Sequence, residues 1–178
     1  QNGLNPENDV KMVTNVDFTA TAGAFKSGIG DYVALFEPTA TMLEKDGAGN
    51  IVSSIGNEAG NISYTCFYTT KSYMDENPDI IQKFTNAIYK GQQWVQQHTS
   101  EEVADSIISF FPGTDKEVIV KVIDNYKNIE AYSETPEVSE DGLNKLMDII
   151  QGYDESLITE RPDFNIIVNN SFAKQAIK

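Results

Sequence analysis

The chain changes rhythm part-way along, and that change limits what it can fold into. From Val10 to about Thr70, short apolar runs alternate with short segments of helical character. "VKMVTNV" (Val10–Val16) reads as a strand, and Asp17 stands as N-cap of the helix "FTATAGAFKSG", which Gly28 closes. "YVALF" (Tyr32–Phe36) is near-continuously apolar, as a strand buried on both faces should be. Pro38 at a first helical position, with Glu37 before it, opens the next helix, and Gly47 ends it. "IVSSIG" and "ISYTCFYTT" read as two further strands. Strands and helices in alternation predict an α/β fold, a parallel sheet with crossover helices.

Beyond Lys71 the rhythm stops and a helical layer begins. "NPDIIQKFTNAIYKGQQWVQQH" has Asn77 as cap, Pro78 in its first turn, and Ile80, Ile81, Phe84, Ala87, Ile88 and Val95 at helical spacing. Thr99 and Glu102 have capping-box spacing, and Thr114 and Glu117 repeat it. A fourth helix is predicted from about Ser139 to Gln151, stopped by Gly152; an apolar stretch and a short helix, "FNIIVNNSFAKQAI", close the chain. The seam between the halves falls near Ser63–Asn77.

Composition narrows the function classes. Hydrophobic residues make up 40% and aromatics 10%, which suits a folded globular chain. The formal net charge is −14, so the surface cannot neutralise nucleic-acid phosphates or adhere to anionic lipid. One cysteine, Cys66, allows no internal disulfide. The opening "QNGLNPENDV" has neither a basic n-region nor an apolar h-region, the pattern of a signal peptide absent or already removed.

The chemistry of a conventional enzyme is missing. Metal sites need clustered ligands, and the single His98 sits at a helix end beside Gln96 and Gln97. "GAGN" and "SGIGD" are too short for phosphate loops. The acidic pairs Glu101–Glu102 and Glu140–Asp141 lie in first helical turns, where the macrodipole favours them. Trp94 reads as core; Tyr64, Phe67, Tyr68 and Tyr73 cluster at the seam, read first as core packing and second as a ligand-stacking surface. No catalytic residue, metal or cofactor is expected, which leaves binding.

Glu37 is the residue that asks for a function. It follows "YVALF" directly, at the carboxyl end of a predicted strand, where open α/β sheets place ligands. It is either a substitute N-cap, although glutamate is a poor one, or an acceptor for amino or N–H groups of a bound solute.

The segment "AFKSGIGDYVALFEPTATMLEKDG" resembles ABC-importer solute-binding proteins of the nitrate/sulfonate/taurine/bicarbonate group and the related thiamine-pyrimidine-precursor (NMT1/THI5-like) binders. Ala24, Phe25, Gly28, Asp31, Phe36, Glu37 and Pro38 carry that likeness. Tyr73, Asn77, Pro78, Phe84, Ala87 and Trp94 extend it, and "FAKQAIK" is similar to the usual tail. The resemblance implies a periplasmic-binding-protein type II-like fold, incomplete here. Residues 1–65 would be the later half of a second α/β lobe, 66–76 a crossing strand and hinge, and 77–178 a helical segment returning to a first lobe. It also implies an extracytoplasmic protein, periplasmic or a cell-surface lipoprotein, with its signal and anchor upstream. Such a protein captures a small polar solute and delivers it to an ABC permease. Glu37 would face the ligand cleft with Phe36 as a packing wall, and Asn15 and Asp17 stand as weaker contacts. A lone carboxylate favours an amine or aminopyrimidine over bare nitrate. An uncovered sheet edge and helix face would invite a homodimer of the truncated chain. Two alternatives differ in class: a free-standing acidic helical interaction domain, and a thiamine-pyrimidine synthase-like enzyme. The cysteine-rich run that such an enzyme carries has no counterpart around Ala59–Ser63.

Overall fold

The computed structural model describes residues 3–6 and 8–178, and every regular element among them is a helix. In the first half, α1 (Thr21–Lys26, led by a 3-10 turn at Phe18–Ala20), α2 (Thr39–Lys45), α3 (Ile55–Ala59) and α4 (Lys71–Glu76) are short and joined by irregular chain. The second half carries α5 (Pro78–Gln97), α6 (Ser100–Ile107), α7 (Lys116–Asn128), α8 (Glu140–Tyr153), α9 (Phe164–Ile167) and α10 (Ser171–Ile177).

The expected α/β architecture is overturned, because no strand and hence no parallel sheet exists among the described residues. Val10–Val16, Tyr32–Phe36 and the stretches 51–54 and 62–70 are non-helical, as expected, but they form no ladder. The physical reason is that a strand is a pairwise object. Apolar periodicity says which face a segment would bury, whereas its N–H and C=O groups still need a neighbouring strand. At Ser63 the backbone turns instead to a helix, its N–H donating to the Gly142 carbonyl at 3.2 Å. Side chains meant for a sheet interior, such as Tyr32, Val52 and Phe67, are exposed. The accessible surface is 13,292 Å². A compact chain of 19.7 kDa is expected to expose about 8,600 Å².

Helix boundaries follow local chemistry more faithfully. The predicted capping box at α6 is present: Thr99 Oγ1 accepts the Glu102 N–H at 3.2 Å while the Glu102 carboxylate accepts the Thr99 N–H at 2.9 Å. Gly28 (φ +91°) and Gly47 (φ +70°) supply the left-handed turns that follow α1 and α2. At α7 the predicted box at Thr114 and Glu117 does not form. Asp115 is the N-cap residue and its side chain makes no capping bond; its carboxylate pairs with Lys45 at 2.6 Å. At α8, Ser139 Oγ accepts the Gly142 N–H at 3.1 Å, and the helix runs through Gly152 to Tyr153. Gly142 permits a close approach, since a Cβ there would lie 2.8 Å from Ser63 Oγ.

The packed core is the junction of α6 and α7. Val103 and Ala104 of α6 meet Ile119 and Ile123 of α7, all buried, with Trp94, Val95 and Phe111 closing the sides. The amphipathic stripe of α7 buries Val118, Ile119, Val122 and Ile123 at helical spacing. α5 is tied on differently. Its glutamines donate to backbone carbonyls: Gln92 to Thr135 at 3.2 Å, Gln93 to Glu134 at 3.0 Å, Gln96 to Tyr132 at 2.9 Å and Gln82 to Phe172 at the foot of α10 at 3.1 Å. Ile123, 1% exposed, is a keystone of this core. Ile123→Ala is expected to lower the unfolding free energy by about 2–5 kcal/mol in urea denaturation, the range for a cavity in a well-packed interior. A loss below about 1 kcal/mol would show that the α6–α7 junction is not the core.

Candidate functional site

Glu37 stands where the irregular segment from Tyr32 to Phe36 passes into α2, joined to Pro38 by a cis peptide bond. Pro38 is the N-cap residue and Thr39 the first helical one, so the helix starts one place later than the sequence suggests. The first N–H groups of a helix have no partner within it. Glu37 reaches forward to supply one: its Oε2 accepts the Thr41 N–H at 3.0 Å, and its Oε1 accepts the Thr41 hydroxyl at 3.0 Å. Oε1 also accepts the side-chain amide of Asn125, from α7, at 3.0 Å. Thr41 is 2% exposed, and Glu37 itself is half-buried. A glutamate too long for an ordinary cap thus serves as a clasp between two helices. Tyr126 lies beside it; burial pushes its phenol up, and the Glu37 charge adds to that while the Glu37 backbone opposes it.

Next to the clasp, α2 and α7 face each other across a recess of about 550 Å³ lined by Thr41, Glu44, Lys45, Glu117, Val118 and Lys121. Its charges pair across the gap: Lys45 with Asp115 at 2.6 Å, and Lys121 with Glu44, whose Oε1 also accepts the Ile51 N–H at 3.0 Å. The Lys121 hydrogen bond, and then the Ile51 amide, hold the Glu44 carboxyl below its ordinary value. Lys45 does the same for Asp115, and Asp115 raises the Lys45 ammonium. The recess is therefore an ionic seam that holds α2 in place.

The other predicted site residues are spread out. Phe36 is 57% exposed, with its ring tilted against Phe18 at a centroid distance of 5.3 Å. Asn15 lies exposed in a bend. Asp17 is the N-cap residue of the 3-10 turn; its carbonyl accepts the Ala20 N–H at 2.8 Å, and its side chain makes no capping bond. Among the described residues no hydrogen bond joins Asn15 or Asp17 to Glu37, so the structure unites Glu37 with Thr41 and Asn125 instead. Of these partners, Thr41 had a sequence signal, four places after Glu37 on one helical face, whereas Asn125 and Tyr126 had none.

The seam aromatics are not core. Tyr64, Phe67, Tyr68 and Tyr73 are all exposed, Tyr68 by 94%, and Phe67 sets its edge on Phe84 of α5 at 4.9 Å. The first sequence explanation for them fails because no sheet covers them. Trp94 does flank the core, and it stacks on His98 at 4.2 Å, where His98 Nδ1 lies 2.8 Å from the Trp94 carbonyl. Among the described residues no His, Cys, Asp or Glu cluster could hold a metal ion, and no helix is long and apolar enough to cross a membrane.

The clasp's α2 side, with the exposed aromatics and all of α5, lies inside residues 1–109, the part that matches the NMT1-like family; the chain belongs to that family. It is 40% identical over 172 residues to "Putative binding protein YtlA" of Bacillus subtilis (strain 168). That alignment takes in 97% of this chain and 51% of the relative, so the chain spans about half the length of the curated relative it matches. No solved structure matches it. The resemblance read from Ala24, Phe25, Gly28 and the Phe36–Glu37–Pro38 triplet is thereby borne out.

Two outcomes test the clasp and its seam. Thr41→Val removes one of two donors to Oε1 and is expected to cost about 1.5 kcal/mol in urea denaturation, the lower end for a hydrogen bond to a charged group. An unchanged midpoint would show that the Thr41 hydroxyl does not hold Glu37. Glu44 and Asp115, with folded pKa values below their ordinary ones, stabilise the fold above the usual carboxylate range, and that contribution disappears as pH falls through the lowered values. Urea midpoints are therefore expected to drop below about pH 4, and the drop to be shallower in Glu44→Gln. Equal slopes in the two proteins would contradict the seam.

Proposed function

We propose that this chain forms part of the extracytoplasmic solute-binding component of an ABC importer. The protein captures a small polar solute, a sulfonate or taurine-like amine or an aminopyrimidine, and passes it to a membrane permease without chemical change. The observation that carries this reading is the Glu37 carboxylate, held in a fixed orientation by Thr41 and Asn125 in a chain of the NMT1-like family. The relative's printed name, a binding protein, supports the same reading. A carboxylate with both oxygens anchored costs little to organise when a cationic or N–H-bearing solute arrives, which is how rigid sites gain affinity. Phe36, exposed beside it, offers an apolar wall, and Asn15 and Asp17 stand as outer contacts.

In this reading the protein works outside the cytoplasm, as a periplasmic protein or a cell-surface lipoprotein. Closure on the solute is a hinge motion about residues 66–76, which run from Cys66 through α4. The exposed apolar surface gives the isolated chain a route to homodimers. Glu37→Gln in the full-length protein is expected to weaken an amine-bearing solute by roughly 1.5–3 kcal/mol in calorimetry, the scale of a hydrogen bond to a charged group. Unchanged affinity would leave Glu37 as a helix clasp alone.

A further inference from the structure

We infer that Asn125 is a positioning residue that leaves the Glu37 carboxylate one open acceptor position, so that the site takes a solute that can engage it through one N–H at a time, an amine or amino-heterocycle, and disfavours the two-pronged pairing of a guanidinium head. This inference rests on the reading of Glu37 as a solute contact.

An ionised carboxylate offers about four acceptor positions, two on each oxygen. In this structure Oε1 has both of its positions filled, by the Thr41 hydroxyl and the Asn125 amide, each at 3.0 Å. Oε2 accepts the Thr41 N–H at 3.0 Å and keeps its second position. A guanidinium pairs with a carboxylate through two parallel N–H donors, one to each oxygen. That fork needs a free position on Oε1, which is closed. An ammonium or an amino group on a ring needs only one acceptor and meets Oε2 alone.

The two Oε1 donors differ in how they can be altered. Thr41 is buried and lies on the same short helix that its backbone N–H ties to Glu37, so changing it disturbs the carboxylate itself. Asn125 arrives from α7, on the half-buried side, and its amide can be removed while both Thr41 bonds remain. It is therefore the residue that decides whether the second oxygen is available.

The test uses the full-length protein and a matched pair of probes that differ only in the head group, taurine with an amine and 2-guanidinoethanesulfonate with a guanidinium. Affinities are measured by calorimetry for the wild type, Asn125→Ala, Asn125→Leu and Glu37→Gln, with circular dichroism to establish that each variant is folded. The wild type is expected to prefer taurine by about tenfold, the scale of one charged hydrogen bond. Both Asn125 variants are expected to shift the ratio of the two affinities toward the guanidinium probe by roughly fivefold or more. Loss of a merely structural contact would weaken both probes alike and leave the ratio fixed. Taurine binding with an unchanged ratio in both Asn125 variants overturns the inference while the solute reading stands. Taurine binding that survives Glu37→Gln undiminished, or a wild type that binds neither probe, overturns the reading of Glu37 on which the inference rests. The Leu variant keeps the side chain's size, so it remains informative if the Ala variant unfolds.

Discussion

Two separate parts of the molecule are fixed by the two sides of α7. On one side Ile119 and Ile123 interlock with Val103 and Ala104 of α6, and this junction is the buried apolar core. On the other side α7 holds α2 through polar groups: Asn125 to Glu37, Lys121 to Glu44, and Asp115 at its N-terminus to Lys45. The first attachment is apolar and strong for its area. The second is built from exposed or half-exposed ion pairs, each worth little by itself, plus one carboxylate with three internal donors. The first third of the chain therefore keeps its position by directional bonds more than by burial.

That division bears on how a binding function could work here. A carboxylate anchored at both oxygens is rigid, and the helix that carries it is joined to the core by interactions that respond to pH and salt. Phe36, next to Glu37 in the chain, is open to solvent, as are Phe67 and Tyr68 at the seam between the halves. A chain with this much uncovered surface does not complete its own interior. The relative named "Putative binding protein YtlA" is about twice as long as the region matched here.

What the sequence made legible was local. The Thr99–Glu102 capping box, the start of α5 at Pro78 and the glycine turns after α1 and α2 all depend on neighbours within a few residues, and each is found where expected. The strands were not legible, because a run such as Tyr32–Phe36 announces a buried face without naming the partner that would pair with it. The site was half legible. Position singled out Glu37, but its most informative partner, Asn125, lies 88 residues away, and nothing in either stretch signals the other. At Asp115 the local rule lost to a distant charge: capping chemistry pointed to Thr114, and Lys45 fixed the outcome.

α7 organises the molecule, anchoring an apolar core on one side and the Glu37 clasp on the other, while the sheet-like segments remain unpaired. Residue-resolved amide hydrogen exchange tests it most directly. Slow exchange is expected for the α6 and α7 interior and measurable protection for the Thr41 N–H, with fast exchange through 10–14, 32–36, 52–54 and 65–69. Strong, alternating protection along those four segments would mean that they pair as strands, and that α7 is not the element on which the fold depends.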